Sequence, residues 1–192
     1  PKDLYVVSIM PCTAKKFEAQ RRELGQEGTL DVDAVLTTQE IAQMVWQANL
    51  DFSRLPAEAF DLPFGVATGA GVIFGATGGV AEAVLRTAAR ALDGKTPAIE
   101  FTAVRGMEHL KEASLTIGQH EIKVAVIHGL SQAKEVLEAI KRGERHYHLV
   151  EIMACPGGCV GGGGQPVPND AERRKLRAQG LYSIDQQREL RC

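Results

Sequence analysis

Hydrophobic and polar positions divide the chain into short apolar runs and longer stretches with helical periodicity. The apolar runs from Leu4 to Met10 and from His148 to Ala154 predict buried strands, and each leads directly into a cysteine-bearing segment. The runs from Leu110 to Ile117 and from Glu121 to His128 predict two strands that pair across a Gly-Gln turn. Two shorter strand candidates are Asp33 to Leu36 and Phe101 to Val104.

Helices are predicted between these strands. Gly79 to Leu92 gives the strongest helical pattern, and Ser131 to Lys141 is amphipathic. From Gln39 to Asn49 apolar residues recur at helical spacing, and we expect Thr38 to be the N-cap of this helix, without a full capping box. Two further helices are predicted, one from Thr13 to Leu24 with Thr13 as N-cap and one from Asn169 or Asp170 to about Gln179.

This alternation of strands and helices predicts an α/β fold. The predicted sheet is mixed but mostly parallel and flanked by helices, because the central hairpin supplies an antiparallel pair. A chain of 192 residues is long enough to bury a core and fits one domain or two small lobes.

Composition and charge exclude several functions. The net charge of -2 gives no sign of the basic surface that binds nucleic acid. No apolar run approaches the roughly 20 residues of a membrane span. No secretory signal is visible, so we expect a cytoplasmic protein and leave the periplasm open. The chain begins with Pro1 rather than Met, which suggests a fragment.

The cysteines and glycines are not scattered. Twelve of the 20 glycines fall in two windows, between positions 65 and 79 and between positions 157 and 164, and Cys155 and Cys159 flank or lie within the second window. The first window is typical of a tight packing turn rather than of a dinucleotide-binding loop. Four cysteines in a chain of this length, without a secretion signal, favour reactive or metal-binding thiols over a disulfide scaffold.

The first candidate motif is MPCTAKKFE, from Met10 to Glu18. A strand ends at Cys12 and a helix begins within two residues, so helix N–H groups can stabilise a thiolate there. Lys15 can stabilise an anionic ligand, and Glu18 could relay protons. The alternative is an ordinary strand-to-helix turn with solvated lysine and glutamate side chains.

The second candidate motif is EIMACPGGCVGGGGQP, from Glu151 to Pro166. Cys155 and Cys159 bracket Pro-Gly-Gly, and residues without side chains let backbone N–H groups approach a sulfur closely. The motif has neither the histidine partners of a zinc knuckle nor the C-x-x-C spacing of a redox disulfide. Iron–sulfur ligation is the best physical interpretation, with Cys12 and these two thiols converging on one site.

Both motifs closely resemble signatures of a known family. MPCTAKKFE and EIMACPGGCVGGGGQP are similar to the second and third signature motifs of the iron-only ([FeFe]) hydrogenases, and GAGVIFGATGGVAEAVLR, from Gly69 to Arg86, resembles the segment between them. The resemblance implies the catalytic-domain fold of that family. It also implies an H-cluster, which is a [4Fe-4S] cubane joined through a cysteine sulfur to a di-iron unit with CO, cyanide and a dithiolate bridge.

The resemblance also implies roles for individual residues. The implied cluster ligands are Cys12, Cys155 and Cys159, and Cys159 matches the bridging ligand. Lys15 matches the lysine that holds a cyanide of the distal iron, and Glu18 matches a glutamate on the proton path. Met10 and Met153 match methionines that pack against the di-iron unit. Ala14 and Gly161 stand where the family often has Ser and Asn.

The implied activity is the reversible reduction of protons to H2, with electrons from ferredoxin-like domains or NAD(P)-linked subunits. The first family motif supplies the fourth ligand and has the form TSCCPxW, which this chain lacks. We therefore expect residues 1–192 to be a fragment of the H-cluster domain that starts after that motif. Alone, it should be inactive and without the cofactor, with Cys192 as a bystander.

Other functions remain open at this point. A narfin-like protein of iron–sulfur cluster assembly would keep a cubane without the di-iron unit, and a sensory hydrogenase would keep both. A structural zinc or interaction domain represents a different class. The presence of Lys15, Glu18, Met10 and Met153 favours the catalytic branch.

Overall fold

A computed structural model describes residues 4–25, 29–61, 67–93 and 100–191. The chain divides into two compact units. The first contains Pro1–Ala59 and Gly161–Asp170, and the second contains Phe60–Val160 and Ala171–Cys192. We describe each unit by itself.

The first unit is built on a parallel strand pair. β1 (Val7–Met10) pairs with β2 (Ala34–Thr37), and their register sets Val7 opposite Ala34 and Met10 opposite Thr37. The Asp33 carboxylate accepts a hydrogen bond from the Val6 N–H at 2.7 Å, just before the ladder begins. The helices of this unit are α1 (Ala14–Glu18) and α2 (Thr38–Gln47), and short 3₁₀ turns lie at Arg22–Leu24 and Phe52–Arg54.

Two predictions about helix ends in this unit are wrong. The N-cap of α2 is Thr37 rather than Thr38, and the capping box is complete: the Thr37 hydroxyl accepts from the Glu40 N–H at 3.2 Å, and the Glu40 carboxylate accepts from the Thr37 N–H at 2.7 Å. Thr37 can do this because it ends β2 with an extended backbone. Thr13 occupies the predicted N-cap position of α1, although its side chain makes no capping hydrogen bond, and α1 ends at Glu18 rather than Leu24.

The second unit contains a three-stranded sheet in the order β3-β4-β5. β3 (Leu110–Ile117) and β4 (His120–His128) form the predicted antiparallel hairpin, and Gly118 takes a positive φ of 60° in its turn. β5 (Leu149–Met153) pairs parallel to β4 after a crossover through α5 (Leu130–Lys141). The predicted α/β class, with a mixed sheet and flanking helices, is confirmed.

The sheet of the second unit is covered on both faces, which explains the unbroken apolar run in β4. Val124 and Val126 pack against Leu85 of α4 (Gly79–Asp93). Ile127 faces the other way and packs against Val136 of α5. Because neighbouring strand residues point to opposite faces, both sets must be apolar.

Phe101 to Val104 does not form the predicted strand. Thr102–Val104 is a 3₁₀ turn, and Phe101 and Val104 are both buried in the cluster around Leu85. The apolar character of this segment therefore reflects burial in the core rather than sheet pairing.

The last helix is longer than predicted. α6 (Ala171–Gln186) continues beyond Gln179, and its Asp185 is fully buried. Both Asp185 oxygens accept from the Arg86 guanidinium, at 2.8 and 2.7 Å, and Arg86 also donates to Glu82 at 2.8 Å. A buried ion network thus joins α6 to α4. The remaining short helix is α3 (Gly69–Val72), which a 3₁₀ turn at Ile73–Gly75 follows.

In the ranges that the structure describes, no helix combines the length and the apolar character needed to cross a membrane.

Candidate functional site

In the first unit, Cys12 lies two residues beyond the end of β1 and is half-buried. Gly164 packs against this turn: its N–H donates to the Pro11 carbonyl at 3.3 Å, and its own carbonyl accepts from the Gln39 N–H at 2.9 Å. A β-carbon at Gly164 would lie 3.0 Å from the Cys12 nitrogen and 2.9 Å from the Thr37 Cβ. The approach therefore requires glycine, and the glycine-rich motif closes over the Cys12 turn.

Lys15 and Glu18 form an ion pair one turn apart on α1. The Lys15 Nζ lies 2.5 Å from a Glu18 oxygen, and their side chains are 38% and 47% exposed. Both line an open cavity of about 330 Å³ together with Met10. The structure thus brings together three of the predicted site residues.

In the second unit, β5 ends at Met153 and leads into Cys155. Gly157 and Gly158 take positive φ values of 78° and 89°, and the Gly158 N–H donates to the Cys155 carbonyl at 3.0 Å. Such values favour glycine because a β-carbon is strained there. The backbone after Cys155 therefore makes a tight turn before reaching Cys159.

The start of α4 holds this turn in place. The Thr77 N–H donates to the Gly157 carbonyl at 2.9 Å. A β-carbon at Gly158 would lie 2.7 Å from the Thr77 nitrogen and 2.8 Å from the Met153 sulfur. Met153 therefore packs directly on the loop between the two predicted ligands.

Glu151 also fixes β5 to α4. Its buried carboxylate accepts from the Gly78 N–H at 2.6 Å and from the Ala81 N–H at 2.7 Å. These are the first N–H groups of a helix, which carry partial positive charge and stabilise a carboxylate. The sequence pattern gave no role to this glutamate within the motif.

Sequence reasoning also missed Lys111, a lysine on β3 that is only 9% exposed. Its Nζ lies 3.0 Å from the Gly106 carbonyl oxygen and 3.4 Å from both Thr77 oxygens. Burial lowers its pKa to about 8, although Glu151 and Glu108 act in the opposite direction. The available signal was the strand alternation, which puts Lys111 on the same face as Ala113, Leu115 and Ile117.

The donor chemistry of the predicted ligands fits an iron–sulfur group. Cys12, Cys155 and Cys159 are all half-buried and form no disulfide. The cysteine turns are closed by glycines whose β-carbons would clash with neighbouring atoms. Within the described ranges, no three His, Cys, Asp or Glu side chains already form a metal-binding group. Cys12 belongs to the first unit and the other two thiols to the second, so their convergence stays a prediction.

Known proteins match this chain over nearly its whole length. The family model described as iron only hydrogenase large subunit, C-terminal domain, matches residues 1–163. The periplasmic [Fe] hydrogenase large subunit of Nitratidesulfovibrio vulgaris is 52% identical over 185 residues, which cover 95% of this chain and 44% of that protein. The NADP-reducing hydrogenase subunit HndD of Solidesulfovibrio fructosivorans is 50% identical over 190 residues, or 98% of this chain and 32% of that protein.

Two further similarities bear on the choice between functions. Protein NAR1 of Arabidopsis thaliana is 35% identical over 188 residues, which cover 90% of this chain and 40% of that protein. A solved structure of a variant of the [FeFe]-hydrogenase HydA1 from Chlamydomonas reinhardtii superimposes with a TM-score of 0.77 at 36% identity, and covers 100% of this chain and 56% of that one. The chain thus spans between about a third and somewhat over half of the length of these proteins.

Proposed function

This chain belongs to the family of iron-only hydrogenase large subunits, and from that premise we propose that it forms part of a catalytic domain that interconverts protons and H2. The observation that carries the proposal is the turn after β5. Two positive-φ glycines, Thr77 and Met153 shape the backbone between Cys155 and Cys159 so tightly that a β-carbon at Gly158 would clash. Such a loop suits cysteine ligation of an iron–sulfur group.

We propose that Cys12, Cys155 and Cys159 are the cysteine ligands contributed by this chain, and that Cys159 is the bridging one. When bound, the H-cluster would supply the one-electron redox chemistry and the site at which 2H⁺ + 2e⁻ and H2 interconvert. The fourth ligand and the electron relays would come from parts of the complete polypeptide outside residues 1–192. The coverage of 32% to 44% of the length of the hydrogenase relatives supports this arrangement. Residues 1–192 alone would then be inactive.

The residues of this chain would perform the supporting chemistry. Lys15 would offer its ammonium to an anionic cofactor ligand, because a charge-assisted hydrogen bond is strong in a dry site. Glu18, 2.5 Å from the Lys15 ammonium, would accept and release protons on their way to the reacting centre. Met10 and Met153 would exclude water with polarisable, apolar side chains.

The electron partner would be a ferredoxin-like domain or subunit, or an NAD(P)-linked subunit. The name of one relative, an NADP-reducing hydrogenase subunit, supports the second kind of partner. We propose a cytoplasmic location, and the name of the periplasmic relative keeps the periplasm as the alternative.

A second candidate is a narfin-like role in iron–sulfur cluster assembly, which the similarity to protein NAR1 supports. Such a protein would need the cubane ligands but not a di-iron unit. The presence of Lys15, Glu18, Met10 and Met153 favours the catalytic role, because these residues match groups that serve the di-iron unit.

Infrared spectroscopy of the complete polypeptide, matured with the di-iron assembly machinery, separates the two candidates. The catalytic role predicts CO and cyanide bands. It also predicts that the protein evolves H2 from protons when a chemical reductant supplies the electrons. The assembly role predicts an iron–sulfur protein without those bands and without H2 evolution. Lys15→Met should weaken both signals, whereas Lys134→Met, on the exposed side of α5, should change neither.

A further inference from the structure

We infer that Lys111 is a positioning residue that braces the loop between Cys155 and Cys159 and supplies it with a buried positive charge. The inference rests on the proposed function, because the charge affects a redox centre only if this loop binds an iron–sulfur cluster.

The surroundings of Lys111 are unusual for an ammonium. The side chain is 9% exposed, and its hydrogen-bond acceptors are the Gly106 carbonyl, the Thr77 carbonyl and the Thr77 hydroxyl. All three acceptors are neutral, and over the described ranges this ammonium makes no ion pair. Glu151 and Glu108 act on this ammonium electrostatically without forming an ion pair, and burial outweighs them. Because a buried charge is costly unless it is compensated, this ammonium is suited to stabilise a further anionic group nearby.

Thr77 connects Lys111 to the cysteine loop. Thr77 is 1% exposed, receives the Lys111 ammonium on its oxygen atoms, and donates its backbone N–H to the Gly157 carbonyl. Lys111 is therefore two hydrogen bonds from the loop. Thr77 also packs tightly on this loop, since a β-carbon at Gly158 would lie 2.7 Å from the Thr77 nitrogen.

Glu151 supports the same backbone turn. Its carboxylate binds the N–H groups of Gly78, the residue after Thr77, and of Ala81. Lys111 and Glu151 thus hold the same backbone turn, one through Thr77 and the other through Gly78. Buried polar networks of this kind fix one geometry when all of their members have partners.

The positive charge has an electrical consequence for a cluster in this loop. A cubane with thiolate ligands is anionic and becomes more negative on reduction, so a buried cation favours the reduced form and raises the reduction potential. For a one-electron couple, a tenfold change in the reduction equilibrium corresponds to about 59 mV.

The test is a redox titration of the cubane by electron paramagnetic resonance, in the complete polypeptide reconstituted with iron and sulfide. Lys111→Met and Lys111→Gln remove the charge. Each should lower the midpoint potential by about 59 mV, which corresponds to a tenfold change in the reduction equilibrium. Lys111→Arg keeps the charge and should restore the wild-type value. Lys123→Met removes an exposed lysine from the neighbouring strand and is the matched control, which should leave the potential unchanged.

A folded, cluster-containing Lys111→Met or Lys111→Gln protein with the wild-type potential would overturn the inference. An equal fall in potential in Lys111→Arg would also overturn it, since the effect would then not follow the charge. Failure of the proposed cysteine ligation has a different signature, because the wild-type polypeptide would then acquire no cubane signal, and failure of the catalytic role alone would leave that signal but no CO and cyanide bands.

Discussion

Thr77 donates its backbone N–H to the carbonyl oxygen of Gly157 at 2.9 Å. Thr77 comes just before Gly78 and Gly79, where α4 begins. This one hydrogen bond therefore links the start of α4 with the loop between Cys155 and Cys159. The first glycine-rich window of the sequence therefore contacts the beginning of the second within the second unit, and supports its backbone at Gly157.

Gly158→Ala tests how tightly this loop is held. The new methyl group would lie 2.7 Å from the Thr77 nitrogen at a φ of 89°, so we expect a loss of about 1–3 kcal/mol in the free energy of unfolding and a lower iron content. Denaturant unfolding and iron analysis of the complete polypeptide measure both effects.

Gly180→Ala is the matched control. Gly180 lies within α6 and a β-carbon there meets nothing within 4 Å, so alanine should stabilise this helix by up to about 1 kcal/mol. If Gly158→Ala were as stable as this control and bound full iron, the tight loop would not be a requirement for binding.

Arg86→Met should be strongly destabilising. It removes the cation that binds Asp185 and Glu82 in a fully buried network, and leaves two carboxylates short of a partner. Loss of one partner of a buried ion pair costs about 3–5 kcal/mol. Arg142→Met, in an exposed pair with Glu144, should change the stability by less than about 1 kcal/mol, and equal effects of the two changes in a denaturant titration would contradict the structure.

Asp185 gives the same network a pH dependence. Burial raises the pKa of Asp185, but hydrogen bonds from Arg86 and Arg191 outweigh this effect and hold the pKa at about 2, below the ordinary value of 3.8. The unfolded chain therefore binds a proton before the folded chain does as the pH falls. The stability from Asp185 is present above about pH 4 and is lost as the pH falls toward 2. Comparison of the wild type with Asp185→Asn by thermal unfolding at pH 3 and pH 6 should show a larger difference at pH 6.

Lys111 should also make the stability rise with pH, but in the alkaline range. Its pKa is lowered from 10.5 to about 8 by burial, and the charged or titratable groups near it are Glu108, Glu151 and His128. The unfolded chain keeps the proton that the folded chain releases between about pH 8 and 10.5, so stability rises across that interval. Lys111→Met lacks this rise, which corresponds to at most about 3 kcal/mol.

Unfolding of the cofactor-free wild type and Lys111→Met at pH 7.5 and pH 10 measures this difference. The loss of the Lys111 hydrogen bonds contributes equally at both pH values and cancels. A difference in stability that does not change between the two pH values would show that Lys111 titrates near its ordinary pKa.

The sequence predicted the parts of the fold that depend on local pattern. The strands before Cys12 and Cys155 were visible as apolar runs, and the β3–β4 hairpin was visible because two apolar runs flank Gly118. These features are set by burial and turn chemistry within a few residues. The ligand motifs were visible for the same reason, since their chemistry lies in short contiguous segments.

The sequence could not reveal features that depend on distant partners. Lys111 is polar in a strand and acquires a role only because Thr77 lies against it. The last turns of α6 look like a polar tail until Asp185 meets Arg86. The N-cap of α2 is Thr37 because β2 ends there, and the sequence alone could not decide between two adjacent threonines.

Iron and sulfide analysis of four cysteine variants, with the cubane paramagnetic resonance signal, tests the central claim most directly. In the complete polypeptide we expect Cys12→Ala, Cys155→Ala and Cys159→Ala each to lose most of the cubane signal and its iron, because each removes one thiolate ligand. Cys192→Ala should keep both at the wild-type level. Full iron content and an unchanged cubane signal in any of the first three variants would contradict the proposed ligand set.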